Sequence, residues 1–305
     1  MTAGVLPAAP FGRVLTAMVT AFRDDGSVDL DGTAAVAVHL ADHGHDGVVV
    51  SGTTGESPTT STEEDGAILR AVLEAVGDRI QVVAGVGTNN TAHSVELAVQ
   101  AEKLGASGVL LVTPYYNKPT QPGVAAHFES VARATDLPVM LYDIPGRTGV
   151  TIAAGTYARV AALDNVVAVK DAVGDLFRGV RIMAETGLAY YSGDDVLNLG
   201  WLTHGGCGVV SVVGHVAGVQ YAAMVDAVDR GDLAAALAIY RALVPVVEAV
   251  MTTAQGAMTA KAALELMGVL PNRNVRLPLV PADAGLVAHL REVLSRAGLL
   301  EDTPA

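Results

Sequence analysis

Eight short apolar runs recur along the chain at nearly regular intervals. Each is rich in β-branched residues, and successive runs start between 19 and 34 residues apart; they begin near Val14, Gly47, Gln81, Gly108, Pro138, Val166, Ala189 and Gly208. Between them lie Ala/Leu/Val stretches with helical spacing, such as Glu63 to Val76, which opens with the capping-box pattern Ser61-x-x-Glu64. The pattern predicts eight alternations of strand and helix.

Strands that alternate with helices are typical of parallel sheets, in which crossover helices cover the strands. The apolar runs are almost uninterrupted, as expected for strands that are buried on both faces. We therefore expect an α/β fold, a (β/α)8 TIM barrel over residues 1–217 that carries the active site. A doubly wound sheet is the alternative, and it is disfavoured because no Gly-x-Gly-x-x-Gly turn follows the first run.

The remaining residues, 218–305, contain no further strand-like run and predict an additional C-terminal helical segment packed on the barrel. The predicted helices are roughly Val219–Arg230, Asp232–Val250, Ala257–Met267 and Asp283–Ala297. The apolar stretch from Leu233 to Val250 carries Arg241, Pro245 and Glu248, so it is predicted to be a buried or half-buried helix and not a transmembrane span.

Composition and charge exclude several classes of protein. Hydrophobic residues make up 51% of the chain and charged residues 17%, which excludes a disordered chain. The net charge of −13 argues against binding nucleic acid or an anionic membrane surface. The only cysteine, Cys207, allows no internal disulfide, and the first residues lack the charged region of a signal peptide. We therefore expect a cytoplasmic location.

Polar and reactive residues collect where the predicted strands end. In a TIM barrel the loops that follow the strands form the active site. The strings in these positions are Ser51-Gly-Thr-Thr-Gly-Glu-Ser57, Thr113-Pro-Tyr-Tyr-Asn-Lys-Pro119, Tyr142-Asp-Ile-Pro-Gly-Arg-Thr-Gly149, Lys170-Asp171, Ser192-Gly-Asp-Asp195 and Ser211. The loops at the opposite end of the predicted barrel contain few reactive side chains.

Lys170 is the most informative of these residues, because it alone among the four lysines ends an apolar strand. Inside a barrel, loss of hydration lowers the pKa of a lysine, and a neutral amine attacks carbonyl carbon to form a Schiff base. A lysine that extends from a strand end into solvent is an equally good interpretation of the spacing. The neighbouring residues decide between the two.

Those neighbours are Tyr142, Thr53, Thr54 and Arg147. A phenol relays protons, the amides of a Gly-Thr-Thr-Gly turn bind a small carboxylate while the Thr53 and Thr54 hydroxyls pass a proton, and a guanidinium binds a carboxylate through two hydrogen bonds. Taken singly, each is more often a core tyrosine, an ordinary turn or a solvated arginine. Of the adjacent Tyr115 and Tyr116, only one is expected to point at the site.

Other signals are weaker. His39 and His43 share a helix face, but no third ligand completes a metal set, and we interpret them as residues of a helix C-terminal turn. Asp194 and Asp195 are interpreted as caps of the following helix, and Cys207 as buried and inert. The sequence predicts neither a metal nor a cofactor.

These strings, in this order and at barrel spacing, resemble the dihydrodipicolinate synthase family of pyruvate-dependent Schiff-base aldolases. The motifs that carry the resemblance are Gly52-Thr-Thr-Gly-Glu-Ser57, Thr113-Pro-Tyr-Tyr-Asn117, Tyr142-Asp-Ile-Pro-Gly-Arg-Thr148, Val169-Lys-Asp171 and Ser192-Gly-Asp-Asp195. The likeness extends from Gly12 to about Leu299. Asp143 stands where many members have Asn, and Asp171 where many have Glu.

The resemblance implies a lyase in which Lys170 forms a Schiff base with pyruvate. The enamine then condenses with aspartate 4-semialdehyde to give 4-hydroxy-tetrahydrodipicolinate, the entry to diaminopimelate and lysine synthesis. Tyr142, Thr54 and Tyr116 form the implied proton relay, with Tyr116 supplied by a neighbouring subunit of a homotetramer built as a dimer of dimers. The implied substrate contacts are Thr53 and Thr54 for the pyruvate carboxylate, Arg147 for the semialdehyde, and Gly193 and the backbone of Val210 for the pocket wall.

Three alternatives differ in testable ways. An aldolase for 2-keto sugar acids such as N-acetylneuraminate is expected to place neutral groups where this chain has Arg147. A phosphate-binding barrel isomerase conflicts with Asp194 and Asp195 beside Gly193. A non-catalytic relative is expected to have lost Lys170, Tyr142 or Thr54, and all three are present.

Some members of this family are inhibited by lysine in a cleft between subunits, where an acidic side chain pairs with the ligand. This chain keeps Ser57, Asn89 and Tyr115 but carries His93 at the acidic position. Thr62 and Asp65 stand where inhibited enzymes often have His, and Asp65 would compensate in part for the missing acid if it reached the same pocket. The resemblance therefore implies weak or absent inhibition by L-lysine.

Overall fold

The structure, a computed structural model, describes residues 8–300 and confirms the predicted barrel. Eight parallel strands close into a ring in sequence order, and β1 pairs with both β2 and β8. The strands are β1 Val14–Ala17, β2 Gly47–Val50, β3 Gln81–Gly85, β4 Gly108–Val112, β5 Val139–Asp143, β6 Val166–Asp171, β7 Ala189–Ser192 and β8 Gly208–Ser211. Only β5 begins later than predicted, because Pro138 has no N–H to donate to the ladder.

Helices follow the strands and cover the barrel. They are α1 Leu30–Asp42, α2 Thr62–Val76, α3 Thr91–Leu104, α4 Gln121–Ala132, α5 Pro145–Thr148, α6 Ala154–Val160, α7 Leu176–Thr186, α8 Asn198–Thr203, α9 Gly214–Asp229, α10 Leu233–Met251, α11 Gly256–Leu266 and α12 Ala284–Arg296. The predicted capping box is present at α2, where Ser61 and Glu64 bond reciprocally to each other's backbone N–H.

Side chains alternate between the barrel interior and the layer beneath the helices. On β5 and β6, Met140, Tyr142 and Ala168 belong to the interior cluster, whereas Leu141 and Val169 belong to the layer between strands and helices. Burial on both faces explains why the strands appear in the sequence as continuous apolar runs. The same alternation turns Tyr142 inward and the adjacent Asp143 outward.

The C-terminal helices occur where they were predicted, apart from the start of α9. This helix begins at Gly214, five residues before the predicted Val219, and it is kinked at Ala217, whose φ is −130°. The predicted division of the chain at 217/218 therefore falls at a kink within one helix and stays a prediction, and its outer limits at residues 1 and 305 lie outside the described residues.

Helices α9 to α12 share a second apolar core with β8. By length and composition alone, α10 is able to cross a membrane. About a third of it is buried here, and Leu243, Val246, Val247 and Val250 lie in that core.

Candidate active site

A cavity of about 640 Å³ opens at the end of the barrel where the strands finish. It is lined by residues from the loops that follow most of the strands and by the end of α10. The predicted site residues in its wall are Thr53, Thr54, Tyr116, Tyr142, Arg147, Lys170 and Gly193. The fold thus brings together groups that are up to 140 residues apart in the sequence.

Lys170 lies at the floor of this cavity. It is the fifth residue of β6 and is paired in register with Tyr142 of β5, so both side chains point into the barrel. Lys170 Nζ is 4.3 Å from the centre of the Tyr142 ring. Burial lowers the pKa of Lys170 to about 8, Asp195 opposes this change, and Arg147 adds to it. About a tenth of this amine is therefore neutral at pH 7, far more than for a lysine with the ordinary pKa of 10.5.

Gly193 leaves the space that the Lys170 side chain occupies. A Cβ at residue 193 would lie 2.8 Å from Lys170 Cγ and 3.1 Å from its Cε. The first contact is shorter than real Cβ atoms make and the second is tighter than most, so a side chain here would require the lysine to shift.

The Tyr142 phenol is buried beside this amine. Burial raises its pKa, Asp194 raises it further, and Arg147 lowers it. The hydroxyl is therefore protonated at neutral pH and is able to donate a proton. No hydrogen bond within residues 8–300 joins the hydroxyls of Tyr142, Thr54 and Tyr116.

The backbone of the two loops that face this amine is unusual. Four non-glycine residues have positive φ: Ser51 at 51° and Glu56 at 60° in the loop after β2, and Tyr116 at 72° and Lys118 at 45° in the loop after β4. This region of backbone space is unfavourable for side chains with a Cβ. Such residues cluster at binding and catalytic sites, where the surrounding structure holds them.

Tyr116 and Arg147 lie at the rim of the cavity. Tyr116 is 88% exposed, which is unusual for a large aromatic side chain. Arg147, in the short helix α5, is also exposed, and its charge influences the pKa of both Lys170 and Tyr142. Tyr115 is half-buried and also lines the cavity, so the prediction that only one of the two adjacent tyrosines faces the site was wrong.

Val210 differs from the other predicted site residues. It lies in the interior cluster of the barrel, below the cavity, and Val212 lines the wall in this part of the chain. The role of the Val210 backbone therefore stays a prediction.

The sequence did not point to Met251 and Thr252, which reach the cavity from the end of α10. No local pattern distinguishes them from other helix-end residues. Only the packing of the C-terminal segment against the barrel places them at the rim.

Asp194 and Asp195, predicted to cap the same helix, have different roles. Asp194 accepts a hydrogen bond from Val196 N at 3.2 Å, as a cap does. Asp195 accepts from the Ser211 hydroxyl and from the backbone N–H groups of Val212 and Val213. The prediction was wrong for Asp195, because its carboxylate turns inward and fixes the loop after β8.

Asp143 and Asp171 form the layer behind the site. They are paired in register on β5 and β6 and face away from the cavity. Burial raises the pKa of both carboxyls, that of Asp171 to about 6, and Arg178 opposes the change at each. The backbone N–H groups of Val173 and Gly174 also hydrogen-bond to Asp171.

The remaining polar predictions lie away from the cavity. Cys207 is fully buried, and burial raises the pKa of its thiol to about 12, so the thiol is inert as expected. His39 lies in the last turn of α1, and His43 follows that helix as its C-terminal cap.

Comparison with known proteins agrees with this geometry. The profile of the "Dihydrodipicolinate synthetase family" matches residues 10–297. The 4-hydroxy-tetrahydrodipicolinate synthase of Kineococcus radiotolerans is 61% identical over 96% of this chain and 95% of its own length. That of Acidothermus cellulolyticus is 58% identical over 99% of this chain and 97% of its own.

Solved structures agree as well. The crystal structure of the lysine-bound enzyme from Cyanidioschyzon merolae superimposes with a TM-score of 0.92 and 42% identity, over 96% of this chain and all of that one. The chain therefore belongs to the dihydrodipicolinate synthetase family.

Proposed function

We propose that this chain condenses pyruvate with L-aspartate 4-semialdehyde to give 4-hydroxy-tetrahydrodipicolinate. It is a lyase of the Schiff-base type and acts in lysine and diaminopimelate biosynthesis. The observation that carries the proposal is the buried amine of Lys170, whose pKa is lowered to about 8, at the floor of a cavity beside the Tyr142 phenol. The family membership supplies the substrates.

The first stage joins Lys170 to pyruvate. The neutral amine attacks C2 of pyruvate, and the resulting carbinolamine loses water to give an iminium ion. Tyr142 donates the proton that the departing oxygen needs. The Thr53 and Thr54 hydroxyls and the amides of their turn hold the pyruvate carboxylate. Loss of a proton from C3 then leaves an enamine.

The second stage forms the new carbon–carbon bond. The enamine C3 attacks the aldehyde carbon of the semialdehyde, and the aldehyde oxygen takes a proton to become a hydroxyl. The amino group of the second substrate then attacks C2, and the Lys170 amine leaves as the ring closes. These steps transfer only protons and release one water, so we invoke neither a cofactor nor a metal.

Arg147 favours this second substrate over a keto sugar. Its guanidinium at the cavity rim matches the terminal carboxylate of the semialdehyde. We expect Arg147→Ala to raise KM for the semialdehyde and to leave pyruvate binding nearly intact. Equal loss of affinity for both substrates would contradict this role.

A direct assay tests the proposed activity. The purified chain is expected to consume pyruvate only when the semialdehyde is present and to form the condensed product, detected by mass spectrometry. It is expected not to release pyruvate from N-acetylneuraminate. Cleavage of the sugar acid without condensation of the semialdehyde would overturn the assignment in favour of the related aldolase.

We further propose a cytoplasmic homotetramer, a dimer of dimers, in which Tyr116 of the partner subunit completes the relay. The 88% exposure of Tyr116 in a single chain supports a role across an interface. Mixing refolded Tyr116→Phe and Lys170→Ala subunits tests it. A hybrid dimer has one complete site only if Tyr116 acts in the neighbouring subunit, so about a quarter of wild-type activity is expected on random mixing. A mixture as inactive as its two parents would contradict the proposal.

A further inference from the structure

A buried ion pair joins the loop after β2 to helix α11. Lys261 Nζ lies 2.6 Å from Glu56 Oε1, although the two residues are 205 positions apart in the chain. Their side chains are only 1% and 2% exposed. Neither residue lines the cavity, but Glu56 follows Thr53 and Thr54 in the same loop.

The C-terminal segment holds Glu56 at both carboxylate oxygens. The second oxygen, Oε2, accepts a hydrogen bond from the backbone N–H of Arg276 at 2.9 Å. Lys261 Nζ is itself fixed by a bond of 2.7 Å to the carbonyl of Asn274 and lies 4.2 Å above the Phe22 ring. The Glu56 carboxylate therefore has little freedom to move.

The backbone of Glu56 transmits this restraint to the substrate loop. Glu56 has a φ of 60° and closes the turn by donating its N–H to Thr53 O at 3.1 Å. On the barrel side, the Thr20 hydroxyl donates to Gly55 O at 2.8 Å. The turn that carries Thr53 and Thr54 is thus held between the barrel and the C-terminal segment.

Stability alone is a poor explanation for this ion pair. Two buried charges lose their hydration, and apolar pairs of similar size are often as stable or more stable. Glu56 also adopts a backbone conformation that is unfavourable for a residue with a Cβ. Such features persist at functional sites, where a set geometry matters more than stability.

We propose that Glu56 and Lys261 are positioning residues that fix the Thr53–Thr54 turn in the geometry that binds the pyruvate carboxylate. The C-terminal segment, which a barrel does not require, thereby sets the affinity of the site for its first substrate. The inference rests on the proposed function and adds to it a role for residues outside the cavity.

The test compares Glu56→Gln with the double variant Glu56→Gln/Lys261→Met. The double variant removes both charges together, so neither is left buried alone, and the chain is expected to keep its Tm. In both variants, loss of the restraint on the Thr53–Thr54 turn is expected to raise KM for pyruvate by roughly 10- to 100-fold, because small misplacements of binding groups have effects of this size. KM for the semialdehyde, which Arg147 binds, is expected to stay nearly constant.

Glu265→Gln is the matched control. It breaks another ion pair of the C-terminal segment, to Arg273 at 2.6 Å, that does not contact the substrate loop. We expect its pyruvate KM to equal that of the wild type. If the double variant fails to fold, Glu56→Gln alone decides through the ratio of its two KM values, because a loss of stability caused by the unpaired Lys261 charge is expected to affect both substrates alike.

Two results would overturn the proposal: an unchanged pyruvate KM in these variants, or equal losses for both substrates in step with a lower Tm. Borohydride trapping of pyruvate by the wild-type chain separates this failure from failure of the proposed function. A wild type that traps pyruvate beside variants with unchanged KM rejects the positioning role only.

Discussion

Lys170 and Lys261 are both buried amines, but their surroundings differ. Burial lowers the pKa of each to about 8. Lys261 is paired with Glu56 at 2.6 Å, whereas Lys170 faces the cavity and has the Tyr142 ring as its neighbour. A lowered pKa is therefore shared by both lysines, and only access to substrate distinguishes a nucleophile from a structural cation.

Tyr142→Phe separates proton transfer from binding. The ring stays and only the hydroxyl is lost, so the amine of Lys170 keeps its packing. We expect kcat to fall by ~10²–10⁴, the usual contribution of a positioned proton donor, while the pyruvate adduct still forms. Steady-state kinetics and mass spectrometry measure the two effects, and a variant with wild-type kcat would remove Tyr142 from the mechanism.

For individual residues, the sequence was most informative where a reactive side chain ends a predicted strand. Lys170 was identifiable because a lysine interrupts the apolar run from Val166, and Tyr142 because it ends the preceding strand. The hydrogen-bond partners of Asp195 were not identifiable, since nothing in the sequence shows which of two adjacent carboxylates turns inward. The pairing of Glu56 with Lys261 likewise depends on how α11 packs.

Among the elements, β1, α1 and α9 enclose two neutral histidines. His45 Nδ1 donates to Leu40 O at 2.9 Å, and its Nε2 is 2.8 Å from the Thr16 hydroxyl. His215 Nε2 accepts the backbone N–H of Val19 at 3.2 Å, so this nitrogen carries no proton. Burial lowers the pKa of His45 to about 4 and that of His215 to about 3.

These histidines make stability depend on pH. Their pKa in the folded chain lies below the unfolded value of about 6.5, so the unfolded state binds more protons between the two values. Their stabilising contribution is complete above pH 6.5 and is lost as the pH falls toward 4. At pH 5 we expect each to lower the free energy of unfolding by about 2 kcal/mol relative to pH 7.5.

Denaturant titrations at pH 7.5 and pH 5.0 check this expectation. Asp171, whose pKa is raised to about 6, acts in the opposite direction, because it favours the folded state at low pH. The comparison is therefore made between wild type and His215→Gln, which should lose part of the acid sensitivity. His289→Gln, on the exposed face of α12, is the control, and an equal pH response in all three proteins would contradict the argument.

Element boundaries followed the sequence closely where a local signal exists. The Ser61-x-x-Glu64 box fixes the start of α2, and Pro138 accounts for the later start of β5. The first turn of α9, which begins at Gly214, was not predicted, since the residues Gly214 to Gly218 have weak helix propensity. Contacts of this turn with the barrel hold it, including the bond from Val19 N to His215.

For the whole molecule, the resemblance carries an expectation about regulation. Where inhibited relatives place an acidic residue, His93 Nε2 lies 3.1 Å from the Thr62 hydroxyl. Asp65 is held inside the chain by the Thr60 hydroxyl at 2.8 Å, so it is a poor substitute for that acidic residue. An ammonium ligand placed beside His93 would therefore lack the charged partner that the resemblance assigns to inhibited members.

We therefore expect weak or absent inhibition by L-lysine. A charge-assisted hydrogen bond contributes roughly 1.5–3 kcal/mol, so its loss weakens binding by about tenfold or more. Initial rates measured against lysine at fixed substrate concentrations provide the test. His93→Glu should increase sensitivity, and strong inhibition of the wild type at sub-millimolar lysine would contradict the expectation.

The sequence alone predicted the closed barrel and the end of it that holds the chemistry, because both follow from repeated local patterns. It did not predict that Met251 and Thr252 reach the cavity, or that α11 restrains the loop after β2. Those features arise from packing between distant segments, for which Lys261 and Glu56 carry no local signal.

Trapping of the Schiff base tests the central claim most directly. The chain is incubated with pyruvate and borohydride, digested, and mapped by mass spectrometry. We predict a reduced pyruvate adduct on Lys170 alone, formed at a rate that rises with pH and levels off above about 8, with Lys170→Arg as the negative control. An adduct on Lys118 or Lys261, or no pyruvate-dependent adduct at all, would contradict the account.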